Sequence, residues 1–203
     1  MITGIDHAVL VVLDLEEAVR AHRQRGFTVT PGGEHAGGAT HNALIGFADG
    51  SYLELIAFHD VAAARGKHSW QPVAERGGGW ADFALLSDDI NADAETLSDL
   101  LARQVESGGR TRPDGVAVVW ALARLRSPLP FIIEDITLRA VRVPHGDVAR
   151  HANGTNGIER ILLGARDAAR VANDYERLRQ RGAPAIDIER ADRDGLIDVR
   201  LRD

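Results

Sequence analysis

The sequence predicts an α+β protein that consists of two βαβββ modules and a partial third module of the form βαββ. Three observations predict this fold: an internal repeat, an amphipathic helix after the first strand of each copy, and short strands separated by turns after each helix. The repeat aligns three segments of equal length without a gap, and each ends in aspartate: 4–14, 79–89 and 157–167.

The first module shows the complete pattern. Asp14 is predicted to cap the helix that follows the first strand, and Glu17, three residues later, can complete a capping box. Gly26 is predicted to end this helix in the left-handed conformation that glycine tolerates. The three strands that follow are bounded by turn residues and are predicted over 27–30, 40–47 and 52–58.

The second module repeats this order of elements. A helix is predicted from Asp89 to about Gln104, and the later strands are predicted near Arg110, over 116–125 and over 131–136. The sequence therefore divides into a first module (1–59), a linker (60–79), a second module (80–142), a second linker (143–156) and the partial third module (157–203).

The third copy has a helix predicted from Asp167 to Gly182, but only two later strands, over 185–189 and 196–201. Its apolar helix face and its open sheet edge both need a cover. We therefore expect this copy to pack against the first two modules or to pair with a second chain, which would make a homodimer.

Composition limits the classes of function. The chain has 203 residues, a net charge of −6, 44% hydrophobic residues and no cysteine. This length and apolar content suffice for a buried core. The lack of a basic excess argues against nucleic acid or an anionic membrane as partner, which leaves small molecules or proteins, and a small molecule is the expected ligand. The absence of cysteine excludes thiolate metal sites and a cysteine nucleophile.

The N-terminal residues lack the features of a signal peptide, and no apolar run approaches the roughly 20 residues that span a bilayer. A cytoplasmic protein without a transmembrane segment is therefore expected.

Two ionisable side chains stand among apolar neighbours on predicted strands. Strand alternation places His7 on one face with Val9, and Glu54 on one face with Tyr52 and Ile56. Burying such groups is costly unless they are paired or bound to a cation. A core histidine and an ordinary salt-bridge partner are the alternatives, and the residues alone leave them open.

Five motifs carry a resemblance to a known family. They are the opening strand Ile-Asp-His-Ala-Val (5–9), Gly-Ser-Tyr-Leu-Glu-Leu-Ile (50–56), Phe-Thr-Val-Thr-Pro-Gly-Gly (27–33), Gly-Trp-Ala-Asp-Phe-Ala-Leu (79–85) and Pro-Phe-Ile-Ile-Glu (130–134). With these motifs the chain resembles the vicinal oxygen chelate superfamily, and within it the glyoxalase-like proteins, over about residues 4–140.

The resemblance implies that the two modules curl into an open mixed β-barrel around a divalent metal, with ligands on the first and fourth strands of each module. Carried to this chain, those positions are His7, Glu54, Asp82 and Glu134. A hard, oxygen-dominated site of this kind would suit Mn²⁺, Mg²⁺ or Fe²⁺ best, and Ni²⁺ and Zn²⁺ are further candidates. We predict that the four side chains converge in one cavity.

The implied function is that of a metal-dependent lyase or isomerase acting on a small substrate chelated through two vicinal oxygens, with Glu54 or Glu134 moving the proton. Asp82 stands where metal-binding relatives usually carry histidine or glutamine. This departure favours the alternative, a non-catalytic protein of the bleomycin-resistance type that sequesters a small molecule without a metal. Aromatic ring cleavage is disfavoured because the four positions lack a two-histidine, one-carboxylate set.

Other polar side chains are candidates for substrate binding. His41 and Asn42 would orient a substrate on the third strand of the first module, or would face solvent at a hairpin edge. Trp120 and Arg124 share a strand face, where arginine would hold an anionic substrate against an aromatic wall, or would simply pack along the strand. The glycine-flanked segment 32–38 is predicted to act as a mobile lid.

Overall fold

The computed structural model describes residues 1–203 and contains a closed eight-stranded barrel and a separate three-stranded sheet. The barrel strands are β1 (Ile2–Val11), β2 (Thr30–His35), β3 (Thr40–Gly46), β4 (Tyr52–Phe58), β5 (Gly79–Ser87), β6 (Glu106–Thr111), β7 (Ala117–Arg124) and β8 (Phe131–Asp135). The strands of the small sheet are β9 (Gly157–Ala165), β10 (Asp187–Arg190) and β11 (Gly195–Arg202). The predicted α+β fold of repeated modules is confirmed.

Five α-helices accompany the strands. They are α1 (Leu15–Gln24), α2 (Gln71–Glu75), α3 (Ile90–Thr96), α4 (Arg139–Arg142) and α5 (Ala168–Gln180). None of them is both long and apolar enough to cross a membrane.

The barrel joins the two modules edge to edge. Its strands follow the order β1-β4-β3-β2-β6-β7-β8-β5, in which β1 lies parallel to β4 and antiparallel to β5. The sequence predicted an open barrel, but a short seam closes it. In this seam β2 pairs with β6 at only two positions, Glu34 with Thr111 and His35 with Arg110.

Local capping explains where α1 begins and ends. The Asp14 carboxylate accepts a hydrogen bond of 2.9 Å from the backbone N–H of Glu17, and Gly26 adopts a φ of +86° after the helix. Helix α3 is shorter than the sequence predicted: it ends at Thr96, a 3-10 turn follows over Ser98–Leu100, and Leu101 then forms a β-bridge with Leu125.

Strand β2 also departs from its prediction, since it begins at Thr30 and continues through the proposed lid. The backbone of Gly33 has a φ of +127° beside a register shift between Pro31 and Gly33. Because the pairing is interrupted and the segment is rich in glycine, residue propensities predict a loop here and not a strand.

Alternation along the strands separates an inner face from an outer one. Buried residues of the inner face include Val9, Ile56, Trp120, Leu122 and Ile133. The outer face packs against the helices and the third module through Ala8, Leu55, Phe83, Leu85 and Ile132. This division decides which polar side chains reach the barrel interior.

The partial third module covers the outside of the barrel. Val171, Tyr175 and Leu178 of α5 are buried in the same apolar core as Leu85 of β5. The backbone N–H of Ile2 donates a 3.0 Å hydrogen bond to the carbonyl of Arg181. Packing against the barrel was one of the two arrangements that the sequence predicted.

Candidate functional site

A cavity of about 210 Å³ lies inside the barrel. Imidazole, carboxylate, guanidinium and aromatic side chains line it, including His7, His35, Tyr52, Glu54, His68, Trp70, Arg110, Trp120, Arg124 and Phe131. Since apolar pockets that bind ligands carry a few convergent polar groups, this cavity is the candidate functional site.

A β-bulge in β1 orients His7. The register against β5 shifts between Ile5 and His7, and this shift brings the Asp6 carboxylate to 2.6 Å from Nδ1 of His7. An aspartate that accepts the Nδ1 proton leaves Nε2 of the neutral ring as an acceptor. That nitrogen lies 3.5 Å from Oε2 of Glu54.

Asp6 belongs to a buried ion cluster that fixes its position. Both Nη atoms of Arg142 donate to the Asp6 carboxylate, at 2.9 and 2.8 Å, and Arg139 donates to it as well. Burial would raise the pKa of Asp6, but the Arg142 charge and the His7 hydrogen bond hold it well below its usual range. The Tyr52 ring stacks on the His7 ring with centroids 4.5 Å apart. His7 is therefore held from two sides.

Glu54 is a buried carboxylate surrounded by nitrogen atoms. Its Oε1 accepts a 2.6 Å hydrogen bond from Nδ2 of Asn42 and lies 3.3 Å from Nε2 of His35. Burial alone would raise the pKa of Glu54, but the imidazoles of His35 and His7 and the Asn42 amide outweigh burial and lower the pKa to about 2. Glu54 is thus ionised at neutral pH.

His35 was not among the ligands that the sequence predicted. It is the last residue of β2, and its Nδ1 lies 3.0 Å from Oγ1 of Thr40. Alternation along β2 turns His35 inward and Glu34 outward. A strand assignment for this segment would have revealed that difference, but its glycines pointed to a loop instead.

The donor types at this site are those that divalent metals accept. Nε2 of His7, the carboxylate of Glu54 and Nε2 of His35 offer two imidazoles and one carboxylate, with neighbouring donors 3.5 and 3.3 Å apart. These two distances end on different oxygens of Glu54, and the three residues do not place one ligand atom each within 4.8 Å of one another, so side-chain rotations would be needed to bring all three to the roughly 2.0–2.2 Å of a bound ion. The oriented tautomer of His7 and the ionised Glu54 are the states in which these side chains bind metals.

Asp82 does not line this cavity. Its carboxylate accepts hydrogen bonds from Nε1 of Trp70 at 3.2 Å and from the backbone N–H of Phe83 at 2.9 Å, and it faces a second cavity behind Trp70. Burial raises the pKa of Asp82 to about 6, although the Trp70 and Phe83 hydrogen bonds oppose this shift.

Glu134 lies outside the barrel, where its Oε2 accepts a 2.9 Å hydrogen bond from the backbone N–H of Ile90 at the start of α3. The predicted convergence of all four side chains is therefore wrong, and only His7 and Glu54 meet.

Strand register explains the error. His7 pairs with Tyr52 between β1 and β4, and Ala84 pairs with Phe131 between β5 and β8. The second-module counterpart of His7 is thus Ala84, two residues beyond Asp82. By the same register, Ile133 and not Glu134 matches Glu54. The gap-free alignment of 4–14 with 79–89 had shifted the first strand by two residues, and the motif at 130–134 had shifted the fourth by one.

The predicted substrate-binding residues also divide between the two faces. Trp120 and Arg124 line the cavity, and the Arg124 guanidinium lies 5.6 Å from the centre of the Phe131 ring. Asn42 faces inward and reaches Glu54, whereas His41 faces outward and stacks on His59 with centroids 4.4 Å apart. The placement of His41 in the cavity is therefore wrong.

Besides His35, sequence reasoning missed two further ionisable residues of the cavity. Arg110 is 5% exposed and donates to the carbonyls of Gly32 and Arg142, with no carboxylate in ion-pair contact. His68 belongs to the first linker, and burial and the Arg124 charge lower its pKa to about 4. No periodic pattern marks a linker histidine or a strand arginine as functional, so neither gave a signal.

A barrel of two βαβββ modules with ligand-type side chains on β1 and β4 is the vicinal oxygen chelate fold. Within that superfamily, the chain belongs to the glyoxalase-like domain family, whose family model matches residues 5–179. The resemblance read from the sequence motifs is confirmed. A search of functionally curated proteins found no significant match.

Several solved structures are similar to this chain at low sequence identity. A hypothetical protein from Staphylococcus aureus is 14% identical, with a TM-score of 0.74 over 94% of this chain and 87% of that chain. Methylmalonyl-CoA epimerase from Streptomyces coelicolor is 21% identical, with a TM-score of 0.47 over 68% of this chain and 100% of that chain. The epimerase from Mycobacterium tuberculosis is 18% identical, with a TM-score of 0.46 over 69% of this chain and 93% of that chain. The Staphylococcus aureus structure shows that the fold extends over nearly the whole chain.

Proposed function

We propose that the protein is a metal-dependent lyase or isomerase that acts on a small, anionic, oxygenated substrate inside the barrel. One observation carries the proposal: Asp6 fixes the His7 tautomer, so that Nε2 lies 3.5 Å from a Glu54 carboxylate that also neighbours His35. Membership of the glyoxalase-like family supports the same class of chemistry.

His7, Glu54 and His35 are the residues that would hold the ion. A bound divalent metal would act as a Lewis acid and stabilise negative charge that develops on a substrate oxygen. Because Glu54 accepts a hydrogen bond from Asn42 and lies beside both imidazoles, this carboxylate is better placed to bind the ion than to move a proton. Glu134 lies too far from the cavity for the proton-transfer role predicted from the resemblance.

His68 is the cavity group that we assign to hydrogen-bond donation to the substrate. Its Nδ1 accepts a 3.3 Å hydrogen bond from the backbone N–H of Trp70, so the neutral ring carries its proton on Nε2. With a pKa of about 4, the ring is neutral at pH 7. His68 would therefore donate a hydrogen bond from Nε2–H to an oxygen of the substrate while keeping its proton.

The charges of the cavity favour an anionic substrate. Arg110 and Arg124 bring two guanidinium groups to a cavity in which Glu54 is the lining carboxylate. Arg124 is 27% exposed, lies along an aromatic wall that includes Trp120 and Phe131, and has its Nε 3.5 Å from Oε1 of the exposed Glu106, so a substrate carboxylate would share this guanidinium with Glu106. The volume of about 210 Å³ lies below the roughly 300–1,000 Å³ of drug-sized pockets, so the substrate is small.

The aromatic lining favours a second candidate function. Tyr52, Trp70, Trp120 and Phe131 all face the cavity. Such rings would also hold a flat apolar ligand without any metal, as in a sequestration protein. This candidate predicts binding that does not depend on Glu54.

Proton exchange in D₂O tests the proposal. The full chain, purified without a histidine tag and supplied with Mn²⁺ or Zn²⁺, would be mixed with small 2-hydroxy and 2-oxo carboxylates and followed by NMR. We expect exchange of the hydrogen next to the carbonyl or hydroxyl group, and its loss in Glu54→Gln and Arg124→Met. His145→Ala is the control, because this exposed histidine lies outside the cavity.

Two results would overturn the proposal. One is the absence of exchange with every carboxylate of the panel in metal-loaded wild type. The other is tight binding of an aromatic ligand by metal-free wild type and Glu54→Gln alike, which would favour sequestration.

A further inference from the structure

A second group of ligand-type side chains lies on the outer face of the barrel. We call Glu34, His41 and His59 the outer cluster. Nε2 of His59 lies 2.7 Å from Oε2 of Glu34, and the His41 and His59 rings stack with an interplanar angle of 23°. One potential ligand atom from each of the three residues lies within 4.8 Å of those of the other two.

The outer cluster is separated from the cavity by the sheet itself. Glu34 of β2 pairs directly with His41 of β3, so the two side chains share a face. Their chain neighbours His35 and Asn42 point the other way, toward Glu54. The outer cluster and the candidate site thus lie back to back on the same two strands.

We propose that the outer cluster binds a zinc ion that fastens β2 to β3 and to the end of β4. Two imidazoles and one carboxylate are ligands that zinc accepts, with water in the remaining position. The side chains of Glu34 and His59 are 56% and 46% exposed, so small rotations can close the remaining distances without disturbing packed neighbours.

The position of the outer cluster explains what such an ion would do. Strand β2 contains Gly32 and Gly33, pairs with β6 at only two positions, and turns into β3 through Gly37 and Gly38, whose φ values are +88° and +65°. A strand and turn with this many glycines and so few pairings have low local stability. Without an ion, the exposed His59–Glu34 contact contributes little. An ion bound to three strands would stabilise the seam and hold His35 in place.

Metal titration of the full-length chain tests this proposal independently of the cavity. Three chelator-treated variants would be titrated with ZnCl₂: Glu54→Gln, His59→Ala and the double variant. A parallel titration with CoCl₂ would record the absorption bands of a four-coordinate site. We expect Glu54→Gln to retain one bound ion and a zinc-dependent rise in melting temperature. Adding His59→Ala should weaken this binding by at least about tenfold. His145→Ala should have no effect.

Two measurements guard against a variant that merely unfolds. Glu34→Gln preserves the size of the side chain and its hydrogen-bonding capacity but removes the anionic ligand, so it should weaken zinc binding as well. Amide hydrogen exchange in residues 30–41 should slow when zinc is added to Glu54→Gln and should not change in the double variant. The proposal is overturned if zinc binding and protection in Glu54→Gln survive both His59→Ala and Glu34→Gln. Failure of the cavity proposal would leave these outcomes unchanged.

Discussion

The orientation of His7 depends on a single carboxylate at a strand irregularity. Asp6 is fully buried, accepts from both Nη atoms of Arg142, and also accepts the Nδ1 proton of His7. A regular strand would direct Asp6 and His7 to opposite faces, so the bulge is what allows the two side chains to touch. Asp6 is therefore a positioning residue for the candidate site.

Asp6→Asn should weaken metal binding by about 10–100-fold, because it disturbs the hydrogen bond that fixes the His7 tautomer. Asp135→Asn is the matched control. Asp135 accepts from Arg139 and Arg142 in the same ion cluster but does not touch His7. Both variants should lose stability, and only Asp6→Asn should lose metal affinity in calorimetric titration. Equal metal affinities in the two variants would contradict the positioning role.

The raised pKa of Asp82 predicts a pH-dependent effect on stability. Its folded-state pKa of about 6 exceeds the ordinary value of 3.8, so its favourable contribution is complete below about pH 4 and is lost as the pH rises through 6. Asp82→Asn removes one acceptor and should be less stable than wild type at pH 4.5. Between pH 4.5 and pH 7.5, the unfolding free energy of Asp82→Asn should rise by about 1–2 kcal/mol relative to that of wild type. This figure is smaller than the full pKa shift implies, because the side chain is partly exposed.

Urea unfolding of wild type and Asp82→Asn at both pH values measures this difference. Carboxylates whose pKa is lowered, such as Asp6 and Glu54, titrate alike in both proteins and cancel in the comparison. A difference in unfolding free energy that does not change with pH would show that Asp82 keeps an ordinary pKa.

At the scale of single elements, strand alternation decides which acidic side chains reach the cavity. Glu54 of β4 faces inward, whereas Glu134 of β8 faces outward and accepts the N–H of Ile90, one of the free donors at the start of α3. Asp89 accepts from the N–H of Ala92 in the same turn. Glu134 is therefore part of the capping of this short helix.

Glu134→Ala should lower the free energy of unfolding by about 1 kcal/mol, because a helix N–H loses its acceptor. Glu134→Gln retains a side-chain oxygen and should recover most of this loss. Neither variant should change the metal content or the proton exchange of the cavity. A selective loss of exchange in Glu134→Gln, without a change in melting temperature, would restore the catalytic role that the sequence predicted.

At the scale of the whole molecule, the third module is joined to the barrel by apolar packing and by one buried ion pair. The Arg181 guanidinium, at the end of α5, donates to Oδ1 of Asp93, which is fully buried in α3. A second pair across the same interface, Arg177 with Asp99, is exposed. The two pairs allow a matched comparison.

Arg181→Ala should destabilise the protein by about 2–3 kcal/mol, because it leaves the buried Asp93 carboxylate with the Ser87 hydroxyl and the more distant Met1 ammonium, 3.7 Å away, as its partners. Arg177→Ala should cost at most about 1 kcal/mol, since water replaces the lost contact. Thermal unfolding of both variants checks this prediction. Comparable costs would show that the interface depends on apolar packing alone.

The sequence by itself determined the modular fold. The capping residue Asp14, the end of α1 near Gly26 and strand β4 follow from local patterns, because caps and apolar alternation act over a few residues. The inward direction of Glu54 followed from the same alternation. His7 was correctly paired with Glu54 through the family resemblance, although the bulge beside it was not foreseen.

Only the tertiary structure decided which residues complete the site. The two-residue shift that matches His7 with Ala84 instead of Asp82 depends on pairing between strands far apart in the chain, and a gap-free alignment does not contain that information. The same holds for His35 and Arg110, which pair across the barrel seam. A shift of one residue reverses the direction of a strand side chain, so sites built from several strands are fixed by register, and register is a property of the folded barrel.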